Sequence, residues 1–164
     1  MNDLTNRFQG AVAARRVVWA GFATGVACSL VGSQLQGEFG PLVTFRVALG
    51  SGLAFLAAQM LDVTLFDRLR RSSWWKAPLI STLLGSTLDT VLFFSVAFSA
   101  ALVWLEPGND VSWAGDHLPI LGVGPMAPLW ISLAIADWLV KLLIAVVALV
   151  PFRLMIARLG AKVA

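Results

Sequence analysis

Three carboxylates and one amine stand inside apolar runs of this sequence: Asp62, Asp89, Asp137 and Lys141. In hydrocarbon each such group costs about 2.5–3.5 kcal/mol near a helix centre on insertion scales, so it must face a bundle interior or a water-filled cavity. Asp137 and Lys141 are four residues apart, which puts them on one helical face with the acid N-terminal to the base, the better order for pairing. Either they only neutralise one another and hold the packing, or they form a gating pair that a substrate or a proton opens. Asp62 follows Gln59 by three residues and shares its face, little more than a turn before a basic connection. It either reaches interfacial water or helps line a path. Asp89 lies deepest, in Gly85-Ser86-Thr87-Leu88-Asp89-Thr90, with Ser86 three residues before it and Phe93 four after. A carboxylate beside a hydroxyl and an aromatic ring can hold a flat heterocycle. The ring stacks while the acid accepts hydrogen bonds from N–H groups. The plainer alternative for Asp89 is a polar contact between helices.

The elements that must position these residues follow from composition. Hydrophobic residues make up 59% of the 164 and charged residues 13%, against the roughly 25% charged of an average soluble domain. Mean hydropathy is +0.83. Four apolar segments stand out, at about residues 17–35, 47–66, 77–104 and 127–152. Each approaches or exceeds the ~20 residues that cross a bilayer as a helix. A closed β-barrel would need alternating strands of ~10 residues, and Leu139 to Val150 shows no alternation. The expected fold is therefore all-α, a polytopic transmembrane helical bundle, with 1–164 as a single domain. Gly37-Glu38-Phe39-Gly40-Pro41 and Glu106-Pro107-Gly108-Asn109-Asp110 break the chain after the first and third spans. Trp74 and Trp75 on one side, and Trp104 and Trp113 on the other, suit the two membrane–water interfaces.

Charge sets the expected orientation. Arg7, Arg15 and Arg16 precede the first span, Arg68, Arg70, Arg71 and Lys76 lie between the second and third, and Arg153, Arg158 and Lys162 follow the fourth. The other two connections hold only Arg46, so ten basic residues face one, and both termini are expected in the cytoplasm. The net charge of +3 does not point to nucleic acid, because these bases sit at the ends of apolar runs and no nucleic-acid motif accompanies them. The polar stretch Met1 to Arg7 lacks the basic and apolar regions of a cleavable signal, so the first span is expected to act as its own insertion signal.

No chemistry of bond-making is expected. Ser/His/Asp, Cys/His and metal-spaced constellations are missing from the sequence, as is a phosphate-binding loop, so neither an enzyme nor a bound metal or cofactor is anticipated. Cys28 lies in an apolar run and reads as a small hydrophobe. His117 falls in the outer loop, where a lone histidine is expected to be solvated. Phe45, Phe55 and Phe98 read as packing residues. Gly21-x-x-x-Gly25 is a weak signal of close helix packing.

The motifs nevertheless match a known set. They are Asp3-Leu4-Thr5-Asn6-Arg7, Ala14-Arg15-Arg16, Gln59-x-x-Asp62 with Phe66 and Leu69-Arg70, and Trp74-Trp75-x-Ala77-Pro78-x-x-Ser81. They continue with Gly85-x-x-x-Asp89-Thr90-x-x-Phe93-Phe94 and Asp137-x-x-x-Lys141 with Pro151. In this order, over nearly the whole chain, they resemble the queuosine precursor transporters of the vitamin uptake transporter group. The resemblance implies a bundle similar to the substrate-binding components of energy-coupling vitamin transporters, in a bacterial inner membrane. It implies import of 7-cyano-7-deazaguanine or its 7-aminomethyl relative. Substrate contacts are then expected from Asp89, Gln59, Asp62, Thr90, Phe93 and Ser86, with Asp137 and Lys141 gating or carrying a proton. Members of the family have six spans, with the Asp-Leu-Thr-Asn-Arg string closing the second. The chain is thus expected to correspond to the last four, lacking two spans of roughly fifty residues in all, and a homodimer could complete the bundle.

The expected function is import of a queuosine precursor. The alternatives are an uptake component for another small heterocycle or vitamin that works with a separate energising module, and a packing subunit that transports nothing. The charge bias is tested by thiol labelling in a Cys28→Ser background. A cysteine replacing Ser112 should react with an impermeant reagent outside intact spheroplasts, whereas one replacing Ser72 should react only after permeabilisation.

Overall fold

A computed structural model describes residues 2–38, 40–69, 71 and 74–160. Arg70 and Lys162, two of the orienting bases, and Phe39 of the first break lie outside the described residues. Four helices dominate: α1 (Asn2–Gln34), α2 (Phe45–Leu69), α3 (Lys76–Phe98) and α4 (Leu129–Gly160). All four are long and apolar enough to cross a membrane, and a helix satisfies its own backbone polar groups where no water can. The all-α class therefore stands. Two short antiparallel ribbons decorate one end: β1 (Gln36–Gly37) with β2 (Gly40–Pro41), and β3 (His117–Pro119) with β4 (Met126–Pro128), in which His117 faces Pro128.

Three helices do not share the limits of the apolar runs that mark them. The first helix begins at Asn2 and not near residue 17, and it breaks at Gly10, whose φ of 84° is one that glycine adopts readily. The polar segment before the break is helical because it packs. Asn6 is fully buried and its Nδ2 donates to the Val63 carbonyl at 2.8 Å. Leu4 lies against a buried cluster of Phe66, Ala77 and Phe152. The third helix stops at Phe98, short of 104, because Ser99 is extended (φ −64°, ψ 134°) and its hydroxyl accepts from the Ala101 N–H, opening a 3₁₀ turn over Ala100–Leu105. The fourth helix continues past 152, through Pro151, to Gly160.

Packing runs in sequence order, α1 on α2, α2 on α3 and α3 on α4, and the α2–α3 contact is the most extensive. Small residues make that contact close. A Cβ on Gly50 would stand 3.3 Å from the Phe93 carbonyl oxygen, and one on Gly85 would stand 3.4 Å from that of Ala58. In the glycine pair of α1, only Gly21 serves a close approach, to the Phe55 ring, while a Cβ on Gly25 would meet nothing within 4 Å.

Each end of the bundle is tied. At the basic end, the cluster of Phe66, Ala77 and Phe152 collects Leu4, Leu69, Trp74 and Ile156 from all four helices and the α2–α3 connection. Arg153 stacks on Trp74 with its guanidinium carbon 5.2 Å from the ring centroid. At the other end Arg46 is completely buried. Its Nε donates to the Val96 carbonyl at 3.1 Å and its Nη2 to that of Ser99 at 2.7 Å. Glu106 accepts from the backbone N–H groups of Phe45 and Arg46 at 3.1 and 3.0 Å, placing a negative charge where the α2 dipole favours one. In the same connection the Ser112 N–H donates to Asp110 and holds its carboxyl below the usual range.

Overpacking a close helix contact typically costs about 1–3 kcal/mol. Gly50→Leu should therefore lower the thermal unfolding midpoint of the purified protein in detergent, whereas Gly25→Leu should leave it nearly unchanged.

Candidate functional site

The intramembrane polar residues fall into two groups on neighbouring faces of α3. The first surrounds a cavity of about 400 Å³ between α1, α2 and α3. Its wall includes Asp3, Val17, Val18 and Gly21 from α1, Phe55, Gln59 and Asp62 from α2, and Thr82, Gly85 and Ser86 from α3. The volume lies inside the range of about 300–1,000 Å³ common to small-molecule sites. Gln59 and Asp62 share a face of α2, as their spacing requires. Asp62 is 8% exposed. Its Oδ1 is buried without a hydrogen-bond partner. The close approach at Gly85 leaves room beside this carboxyl, since a Cβ there would come within 3.5 Å of the Asp62 Cβ.

The second group joins α3 to α4. Lys141 Nζ donates to Asp89 Oδ2 at 2.7 Å, to Asp137 Oδ2, and to Thr90 Oγ1 at 3.2 Å. Thr90 Oγ1 donates to Asp137 Oδ2 at 2.8 Å. The side chains of Lys141, Asp89 and Asp137 keep 30%, 29% and 34% of their surface open, so the cluster can still be reached. Nearby, Trp138 Nε1 donates to Thr87 Oγ1 at 2.9 Å, a second polar tie between α3 and α4.

The structure thus divides the residues that the sequence gathers into one site. Gln59, Asp62 and Ser86 line the cavity. Asp89, Thr90, Asp137 and Lys141 form the ion cluster. Phe93 lies with Phe94 and Phe98, ring centroids 5.1 and 6.0 Å away and nearly perpendicular to both. Ser86 and Asp89 differ by about 60° around the helix axis. That rotation turns one toward α2 and the other toward α4. Asp3 and Phe55 are the cavity residues that the sequence reading placed elsewhere. Asp3 sat in what read as a polar leader, and its one signal was the Asp-Leu-Thr-Asn-Arg string. A larger cavity, about 780 Å³, opens between α1 and α2, but its walls are mostly apolar, and its one carboxylate, Glu106, already caps α2. Among the described residues no group of three or more His, Cys, Asp or Glu side chains is placed to hold a metal ion.

A sequence profile described as "Putative vitamin uptake transporter" matches residues 1–156. The chain belongs to this vitamin uptake transporter family. It is 36% identical over 161 residues to a protein of Escherichia coli (strain K12) named "Queuosine precursor transporter", an alignment covering 91% of this chain and 63% of that one. It is 33% identical over 160 residues to a "Probable queuosine precursor transporter" of Haemophilus influenzae, covering 91% of this chain and 60% of the relative. A Bacillus subtilis protein of the same description is 29% identical over 167 residues, covering 90% and 62%. The chain therefore spans about three fifths of the length of these curated relatives. No solved structure matches it. Family membership and four apolar helices make this a multi-pass membrane protein.

Removing the amine of the cluster leaves two carboxylates facing one another within the membrane. Lys141→Met should destabilise the protein by about 2–3 kcal/mol. Adding Asp137→Asn to it should recover part of the loss, read as the thermal midpoint in detergent.

Proposed function

We propose that the chain imports a queuosine precursor, 7-cyano-7-deazaguanine or 7-aminomethyl-7-deazaguanine, across the bacterial inner membrane, with both termini in the cytoplasm and without chemical conversion of the cargo. The observation that carries this reading is the cavity beside Asp62. A deazaguanine is flat, nearly neutral in its ring system and rich in N–H donors along one edge. Asp62 offers an acceptor oxygen that no protein group uses, and Gln59 and Ser86 stand in the same wall. Phe55 supplies a ring for the face of the base. The names of the relatives supply the substrate class, and the geometry is compatible with it.

In this proposal the ion cluster is the moving part. Lys141 holds Asp89 and Asp137 together and so fastens α4 to α3. Protonation of a carboxylate, or approach of the cargo, weakens that fastening and lets α4 shift, a change of access around a central site. Asp89 and Thr90 therefore act beside Asp137 and Lys141, one helical step from Ser86, and Phe93 extends the wall beyond them. The whole of 1–164 works as one transmembrane domain. A second copy of the chain, packed along the open flanks of α1 and α4, closes the bundle around the cluster.

The test is salvage of queuosine into tRNA by a strain that cannot make the precursor, with limiting precursor supplied. The wild-type chain should restore the modification. Asp62→Asn and Lys141→Gln should each reduce it about tenfold or more, the scale of one lost charge-assisted hydrogen bond. Full rescue by Asp89→Asn would remove Asp89 from the mechanism. Displacement of bound ligand by a vitamin and not by a deazaguanine would move the proposal to another heterocycle.

A further inference from the structure

The cavity beside Asp62 and the larger cavity between α1 and α2 are neighbours along one seam. Going away from the basic end on α1, the smaller cavity takes Val17, Val18 and Gly21, and the larger one continues with Phe22, Gly25 and Ser29. α2 runs antiparallel, since Asn6 meets Val63 and Gly21 meets Phe55. On it the smaller cavity takes Asp62, Gln59 and Phe55, and the larger continues through Gly52 and Ala48 to Phe45. Among the described residues the two walls have only Gly21 and Phe55 in common. At that point the edge of the Phe55 ring lies against α1, so that a Cβ on Gly21 would stand 3.2 Å from Phe55 Cζ. The ring also packs against the cluster of Ala14, Val18 and Val63. A single ring thus stands between about 400 Å³ and about 780 Å³ of open volume. It is only half-buried and borders space in both directions, so it has room to turn to another staggered rotamer.

The two cavities differ in what they can hold. The smaller offers the unpartnered Asp62 oxygen. The larger has mostly apolar walls with the hydroxyls of Ser29, Ser33 and Thr44, and its Glu106 is taken up by the first N–H groups of α2. A flat polar cargo can pass through such a space without being retained, as a conducting path requires. By helix rise, Phe45 lies about 15 Å from Phe55 toward the Glu106 connection, and Asp62 about 10 Å from it the other way.

We propose that Phe55, seated on Gly21, is a gate between an outer vestibule and the site at Asp62. Cargo enters from the side of the Glu106 connection and reaches Asp62 only when the ring turns aside. This rests on the deazaguanine reading above for the cargo and for the orientation of the chain. It gives the ring a second task, because the side chain that meets the bound base also closes the path behind it. Gly21 is what lets the ring close, since any side chain there would push it off the helix.

Thiol labelling from outside intact spheroplasts, in a Cys28→Ser background, tests this. A cysteine replacing Ser29, in the vestibule, should react readily with a small impermeant methanethiosulfonate. One replacing Thr82, in the wall of the smaller cavity, should react slowly. Adding Phe55→Ala should speed the reaction at position 82 about tenfold or more, as for a barrier open less than about a tenth of the time, and leave that at position 29 unchanged. Phe55→Leu, which keeps an apolar side chain against Val18 and Val63 but lacks the ring that reaches Gly21, should act in the same direction. Phe55→Met, long enough to reach Gly21, should keep most of the slow rate. An equal rate at position 82 with and without the ring overturns the gate. Equal acceleration at both positions also overturns it, since Phe55 would then only hold α1 to α2. No reaction at position 29 overturns it as well, because the larger cavity would not open outward. Binding of neither deazaguanine by the wild-type chain in nanodiscs overturns the reading of the cargo and leaves the labelling result standing.

Discussion

A charge inside hydrocarbon has no water to fall back on, and this constraint organises the molecule. Lys141 is the clearest case. Its ammonium is held by Asp89 and Asp137 together, with Thr90 completing the contact. One of those carboxylates is on its own helix and the other on the neighbour, so the neutralisation of one amine also joins α3 to α4. Asp89 Oδ2 is therefore committed to Lys141. The cluster remains about one-third open, so it is neutralised without being sealed.

The same constraint acts at the ends of the bundle with different chemistry. Arg46 is fully buried and directs two of its nitrogens to the Val96 and Ser99 carbonyls at the end of α3. Glu106 accepts the first N–H groups of α2 from sixty residues away. A single neighbourhood thus satisfies the orphan backbone groups of two helix ends. At the basic end, the satisfying contacts are apolar and aromatic, gathered on Phe66, Ala77 and Phe152. Between these two tied ends lies the glycine-mediated approach of α2 and α3, which sets the width of the cavity next to Asp62.

The cavity and the ion cluster sit on neighbouring faces of α3. Ser86 faces one and Asp89 faces the other, so a rotation or shift of α3 alters both at once. A ligand seated on Asp62 and a proton or partner acting on Lys141 would be felt through the same helix. The Phe93, Phe94, Phe98 and Trp113 rings continue from this region toward the connection that follows α3.

Much of the fold was legible without coordinates. Hydropathy located four spans because a membrane helix must be apolar over some twenty residues whatever it packs against. The spacing of Asp137 and Lys141 announced their pairing because both lie on one helix, where geometry is local. The cost of an intramembrane charge marked Asp62 and Asp89 as inward-facing. What the sequence could not settle was which inward-facing residues meet. Asp89 was grouped with Gln59 and Phe93, yet a turn of about 60° from Ser86 hands it to α4. That rotation depends on how α3 packs, which no local pattern records. Asp3 and Asn6 read as a polar leader because a hydropathy window sees only their polarity. Their placement depends on residues some sixty positions away: Asn6 donates to the Val63 carbonyl, and Asp3 lines a cavity with Asp62. By itself the sequence determined that this is a helical membrane protein with a costly polar set inside it. Only the tertiary structure decided that the set is two sites, one a cavity and one an ion cluster, because helix rotation and long-range contact are properties of the packed bundle.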